Sequence, residues 1–245
     1  MPHGKLVIEG NAIPSFSPPY QNTPIKFSDV SMVGISYRVT LSSIQHLVPN
    51  VLELEEEPLV MSTFIEYGMS SVGSYTEFIQ SVAVSYRAES FFYPLFLILD
   101  NDAAVFAGRE LYGYPKVFGR TVMQQTTGTR LVTGHVERLK GREIGSFEFV
   151  PEQPSTKLPL DGRRILNLRV IPSPVPGSPA SVKEFVPTTA DFESKEVWLG
   201  KGHVSFPKTS TIDPWANVEI LRYEGSFFAE GISAVLNNAT EVFRL

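Results

Sequence analysis

The chain has 245 residues, with 21 Lys and Arg against 26 Asp and Glu, 18 Gly, 19 Pro and no Cys, for a formal net charge of −5. The lack of cysteine excludes a disulfide scaffold, a zinc–thiolate domain and a cysteine-nucleophile enzyme. The acidic balance, with no segment that clusters Lys and Arg, gives no electrostatic reason to approach phosphate backbones, so nucleic acid is not an expected partner.

The first twenty-odd residues are rich in Pro, Ser and Asn (Pro14, Pro18, Pro19 and Pro24 among them) and carry no period. They predict an irregular arm over 1–23, wrapped on the surface of a single domain over 24–245. The N-terminus has neither the basic start nor the apolar run of a secretory signal. The longest apolar stretch, Phe91 to Leu99, is interrupted by Pro94 and falls short of the roughly 20 residues that span a bilayer. A membrane is therefore not an expected partner, and a cytoplasmic location is expected.

From Val30 onward, short apolar or alternating runs rich in Val, Ile, Phe and Tyr are separated by Gly, Pro, Asn and Asp, the pattern of strands and turns. Strands are predicted at Met32–Val39, Leu59–Tyr67, Gln80–Arg87, Tyr93–Leu99, Arg130–Leu139, Glu143–Val150, Ile165–Ile171, Glu196–Phe206, Val218–Tyr223 and Ser226–Leu236. One helix is predicted over Leu41–Val48, with Thr40 as its cap and Pro49 as its stop, and a shorter one after Ala103. The Pro-rich joints Pro151–Pro159 and Pro172–Pro179 read as long loops within the domain. The fold class is mainly β with few short helices, a mostly antiparallel sheet closed into a barrel or sandwich.

Most chemical motifs are missing. His3, His46, His135 and His203 have no metal-ligand spacing, so no metal site is expected. There is no G-x-S-x-G elbow, and Gly200-Lys201-Gly202 lacks the third glycine and the helix of a dinucleotide fingerprint. The acidic run Glu53, Glu55, Glu56, Glu57 reads as a solvated turn. The segment from Ala104 to Gly119 is different, because it sets Lys116 in an aromatic and glycine-rich stretch. If this stretch is extended, alternation places Tyr112, Tyr114 and Phe118 on the same side as Lys116. An amine among rings rather than water is favoured in its neutral form, which is a nucleophile toward ketones. Pro115 removes a backbone donor just before the lysine and suits an edge or bend. Composition alone favours a plainer alternative, with Lys116 a solvated edge-strand residue and Arg109 and Glu110 an ordinary ion pair beside a turn.

Gly108-Arg109-Glu110 followed by Tyr114-Pro115-Lys116 resembles the signature of the acetoacetate decarboxylase superfamily. Further matches follow in family order: Pro24-x-Lys26-Phe27, Tyr37-Arg38, Val48-Pro49, Tyr75-Thr76-Glu77, Leu99-Asp100-Asn101, Leu166-Asn167-Leu168, Ile171-Pro172 and Gly177-Ser178-Pro179. The resemblance implies a large antiparallel β-cone or closed barrel enclosing an apolar cavity. It makes Lys116 the Schiff-base amine and Glu77 a proton shuttle. Phe27, Tyr112, Tyr114 and Phe118 become candidate substrate-binding residues, and Arg109 and Glu110 supports of the site. No external cofactor is implied, since the imine is the electron sink, and a homo-oligomer acting on a small ketone or keto acid is expected.

This sequence departs from the family pattern where decarboxylases carry a second lysine, here Val117, and an arginine, here Val30. A further glutamate is missing near Thr63. These departures favour a Schiff-base lyase of the aldolase, retro-aldolase or dehydratase type. Decarboxylation of acetoacetate or another β-keto acid is the alternative, and non-covalent binding or cyclisation of an apolar metabolite is a third.

Overall fold

The computed structural model describes residues 3–7, 10, 12–207 and 212–245. Fourteen strands form one sheet: β1 (Ile25–Val39), β2 (Leu59–Ser70), β3 (Tyr75–Tyr86), β4 (Glu89–Leu99), β5 (Lys116–Phe118), β6 (Arg120–Gln125), β7 (Val132–Glu137), β8 (Glu143–Ser155), β9 (Arg164–Ile171), β10 (Val182–Thr188), β11 (Ala190–Glu193), β12 (Glu196–Ser205), β13 (Ile220–Leu236) and β14 (Phe243–Arg244). Their order is β14-β10-β9-β4-β3-β2-β1-β13-β12-β8-β7-β6, with β5 added beside β4 and β11 beside β13. All pairs are antiparallel except β4 with β5 and β4 with β9. The mainly β class is as predicted, but the ladder ends at β6 and β14 and does not close. Instead β6 folds back on β3, where the Thr121 amide donates to Thr76 Oγ1 at 3.1 Å. Among the described residues no helix is long and apolar enough to cross a membrane.

Period-two alternation sends neighbours on β3 to opposite faces of the sheet. Phe78 enters the main core with Phe64, Phe96, Ile98 and Phe147, each buried. Burying such a side chain contributes about 1.5–3 kcal/mol. The opposite face carries two smaller clusters, one around Tyr75, Leu97, Leu99 and Tyr114, the other around Val30, Met32, Ile65 and Ile232. Phe27, Tyr67 and Ile79 touch both. Glu77 points to this second face and is itself buried.

Several local expectations need correction. Val218–Tyr223 and Ser226–Leu236 are one 17-residue strand, β13. The Glu224-Gly225 pair that reads as a turn is absorbed as a bulge, with Gly225 opposite Ser36 and Tyr223 opposite Tyr37. The Pro151–Pro159 segment is strand as far as Ser155. Beyond Phe149 the outer side of β8 no longer pairs with β7, so Pro151 and Pro154 sit where a missing donor costs little. Strands β5, β6, β10, β11 and β14 were absent from the predicted set.

The helix expected over Leu41–Val48 is a four-residue α turn, α1 (Leu41–Ile44), continued by a 3₁₀ turn over Gln45–Leu47. Thr40 does not cap it, because its hydroxyl donates to Glu219 Oε2 instead. The shorter helix is present as α2 (Asp102–Ala107), capped by Asn101 Oδ1, which accepts from the Ala104 amide at 2.8 Å. A π turn over Gly108–Tyr112 follows.

Candidate active site

The chain leaves β4 at Leu99, arches over α2 and the π turn, and returns as β5 parallel to β4. Leu97 then lies opposite Lys116, while Leu99 lies opposite Glu77 on the other side of β4. A glutamate and a lysine 39 positions apart in sequence thus flank one strand end. Pro115 suits this start, since its carbonyl accepts from the Leu97 amide at 3.2 Å and no donor is needed from its nitrogen. The arch is closed by Gly113, in the left-handed region at φ +81°, where a Cβ would come within 2.6 Å of the Arg169 backbone.

Lys116 Nζ lies 3.1 Å from Glu77 Oε1, and the two side chains are only 9% and 3% exposed. That excludes the solvated edge-lysine reading. The amine also sits 5.8 Å from the Tyr75 ring centre and 5.6 Å from that of Tyr114. Its stem runs across Gly108, where a Cβ would meet Cδ at 2.5 Å and Cε at 2.7 Å. The glycine of the Gly-Arg-Glu triplet is therefore the clearance for the lysine.

The second carboxylate oxygen, Glu77 Oε2, accepts a hydrogen bond from the Tyr67 hydroxyl at 3.1 Å. Burial, and after it the Glu77 charge, raises the phenols of Tyr67 and Tyr75 well above their ordinary range, so both stay protonated. The buried Tyr114 phenol is pushed up to about 12, chiefly by burial. It shares a hydrogen bond of 2.8 Å with Thr188, beside the fully buried Asn167.

Arg109 and Glu110 do not pair with each other. The Arg109 guanidinium donates to the Lys116 carbonyl at 3.0 Å and so ties the arch to β5. The Glu110 carboxylate accepts from the hydroxyl of Tyr20, a buried residue that ties the segment before β1 to the π turn. The Glu110 carbonyl accepts from Arg169 at 2.6 Å.

Two of the aromatic positions differ from expectation: Tyr112 by its conformation, and Phe118 by its exposure, since period two still keeps Phe118 on the Lys116 face of β5. Tyr112 is not in a strand. It ends the π turn and donates to Asn238 Oδ1 at 3.2 Å, although its ring remains 6.1 Å from that of Tyr114. Phe118 is 56% exposed, and no ring contact joins it to this group. Phe27 is brought to the group through Tyr67, their ring centres 4.8 Å apart. Val30, paired with Tyr67 across β1 and β2, is 1% exposed. Tyr67 itself escaped sequence reasoning, and the only signal for it was its place in the alternation of β2.

A cavity of about 600 Å³ opens beside this region, lined by Lys26, Phe27, Met69, Asp191, Glu193 and Ala234 among others. Lys116 and Glu77 are not in its lining, and Phe27 is common to the cavity and the site. Among the described residues no three His, Asp or Glu side chains converge as metal ligands would.

The arrangement is a buried amine and carboxylate with aromatic walls. Comparison with known proteins gives the family. The acetoacetate decarboxylase family profile matches residues 12–239. A protein named Decarboxylase DEC1 from Cochliobolus heterostrophus is 36% identical over 231 residues, 90% of each chain. An acetoacetate decarboxylase from Burkholderia mallei is 32% identical over 194 residues, 77% of each chain. Among solved structures, one of an acetoacetate decarboxylase superposes with a TM-score of 0.84 at 24% identity, covering 97% of this chain and 96% of the other. The enduracididine biosynthesis enzyme MppR, complexed with the condensation product of pyruvate and imidazole 4-carboxaldehyde, superposes at 0.79 with 17% identity and 98% coverage of each chain. These two likenesses speak to the fold, while the profile and the sequence relatives establish that the chain belongs to the acetoacetate decarboxylase family.

Proposed function

We propose that the protein is a lyase in which the Lys116 amine forms an imine with the ketone of a keto acid. The observation that carries this reading is the buried Lys116–Glu77 pair at 3.1 Å. Isolated charges in such a site are costly, but a proton passing from Nζ to Oε1 turns an ion pair into a neutral pair without changing the net charge. The neutral amine adds to the carbonyl carbon, and the proton held by Glu77 goes to the carbinolamine oxygen, which leaves as water. In the iminium of a β-keto acid, the bond between the α carbon and the carboxylate breaks, its electron pair forms the enamine double bond, the C=N π pair moves to nitrogen, and CO2 departs. Protonation of the enamine carbon and hydrolysis of the imine restore the lysine.

Decarboxylation of a β-keto acid is the reading favoured by the names of the relatives that span most of this chain. A second reading, aldol or retro-aldol cleavage or dehydration through the same iminium, is favoured by Val30, which leaves an apolar wall where family decarboxylases place a cation for the substrate carboxylate. The test is borohydride trapping with acetoacetate, longer 3-oxo acids and pyruvate, read by intact mass and a tryptic map. Reduction at Lys116 blocks cleavage there and joins Glu110 to Arg120, and Lys116→Ala abolishes both adduct and turnover. CO2 release by the trapped substrate marks decarboxylation, and aldehyde or water release marks the second reading. No adduct with any carbonyl compound, in folded protein, refutes the imine.

A further inference from the structure

We propose that Tyr67 is a positioning residue that holds the Glu77 carboxylate in the orientation that aims one oxygen at the lysine amine. The inference rests on the imine reading above and assigns a role to a residue outside the Gly-Arg-Glu and aromatic-Pro-Lys motifs.

The two carboxylate oxygens of Glu77 have different surroundings. Oε2 accepts the Tyr67 hydroxyl at 3.1 Å. Oε1 is buried, lies 3.1 Å from Nζ, and receives no aligned hydrogen bond. A carboxylate held at one oxygen by a neutral donor presents the other, with its lone pairs free, to the amine. A partial rotation of the carboxylate would take both oxygens off their partners, and the Tyr67 hydrogen bond opposes it.

Tyr67 is itself immobilised. Its ring lies between Phe27, at 4.8 Å between centres, and Tyr75, at 4.4 Å. β2 pairs Tyr67 with Tyr75 and Ile65 with Glu77, so the phenol reaches two residues along β3, the next position on the same face, to the carboxylate. A phenylalanine at 67 would keep both ring contacts and leave Oε2 without its donor. The titratable groups that face the carboxylate are Lys116 from β5, Tyr67 from β2, Tyr75 from β3 itself and Tyr114 from the segment before β5. With the three phenols neutral across the working range, the acidic limb of a rate profile reports the lysine–carboxylate pair.

Losing a hydrogen bond to a carboxylate disfavours its charged form. In Tyr67→Phe, the acidic limb of the kcat/KM profile therefore moves to higher pH, and kcat falls by about tenfold with KM little changed, the size of effect associated with one hydrogen bond to a charged group. Tyr67→Gln, which restores an N–H donor, returns the limb toward its original position. Borohydride trapping at Lys116 is run on all three proteins with the substrate that traps best. Trapping in all three, together with coincident pH profiles, overturns the role of Tyr67 and leaves the imine reading intact. Absence of trapping in the unaltered protein overturns both. If Tyr67→Phe fails to fold, Tyr67→Met, which also lacks a donor, takes its place: a limb moved to higher pH supports the role of Tyr67, and a profile coincident with that of the unaltered protein overturns it.

Discussion

Gly108→Ala adds one methyl group where the Lys116 stem crosses the arch. The new Cβ would stand 2.5 Å from Cδ, 2.7 Å from Cε and 3.3 Å from Nζ, and ordinary contact begins at 3.4 Å. The stem must therefore retreat by about 0.9 Å at Cδ, in a site where a misplacement of that order costs on the order of 100-fold in rate. The backbone gives no offsetting strain, since Gly108 is right-handed at φ −61°, ψ −45°. Alanine gains about 1 kcal/mol of helical preference there, against roughly 1–3 kcal/mol for overpacking, so stability shifts by at most about 2 kcal/mol. The expected outcome is a variant that melts within a few degrees of its parent while kcat/KM and the rate of borohydride trapping fall together by about two orders of magnitude. A folded variant within threefold of the parent would refute the claim that this glycine holds the lysine in place.

Glu77→Gln keeps the shape of the side chain and an oxygen for Tyr67, but it cannot take a proton from the amine. Single-turnover rates should fall by about 10²–10⁴, the range for removing a general acid–base group, and a parental rate would remove Glu77 from the chemistry. Asp213, fully buried, binds Arg138 at 2.7 Å and Arg142, and these partners hold its carboxyl below its ordinary value of 3.8 against the opposing effect of burial. A depressed folded-state value contributes stability above the unfolded value and loses it as pH falls through the folded one. Asp213→Asn should therefore cost about 2 kcal/mol near neutral pH, less than for a wholly buried pair because both arginines reach solvent. The gap in melting temperature between parent and variant should narrow below pH 3.8, and a gap that is constant with pH would contradict the assignment.

The alternating runs were legible because one face of each strand meets a core. Leu59–Tyr67 and Ile165–Ile171 fall within β2 and β9 for that reason. Where a strand is interrupted, the local signal misleads. Glu224-Gly225 looks like a hairpin turn, yet β1 pairs with β13 on both sides of it and carries the strand straight through as a bulge, while the β12 ladder stops at Ser226. Pro151 and Pro154 look like a loop, yet an unpaired outer edge accepts them. Tyr112 was assigned by strand alternation although the π turn, which depends on Gly108 and Gly113, governs its direction. Lys116 was legible because its neighbours in sequence are also its neighbours in space. Its carboxylate partner was accessible only through the family motif, because β4 must first lie between the two. Tyr67 carries no local mark, since its role depends on the register of β2 against β3.

The apolar residue at 117 bears on this chemistry less than its position next to the lysine suggests. On β5, Lys116 and Val117 point to opposite faces of the sheet. Val117 packs against the cluster that holds Phe64, Phe78 and Ile98, while the amine lies on the face of Tyr75 and Tyr114. In this chain a cation at 117 would enter the main core with the sheet between it and Nζ. What balances the lysine is then the carboxylate of Glu77, reached across β4. Of the two departures, Val30 is the one on the face of the site, because it pairs with Tyr67 and lies in the cluster that Tyr67 and Phe27 pack against.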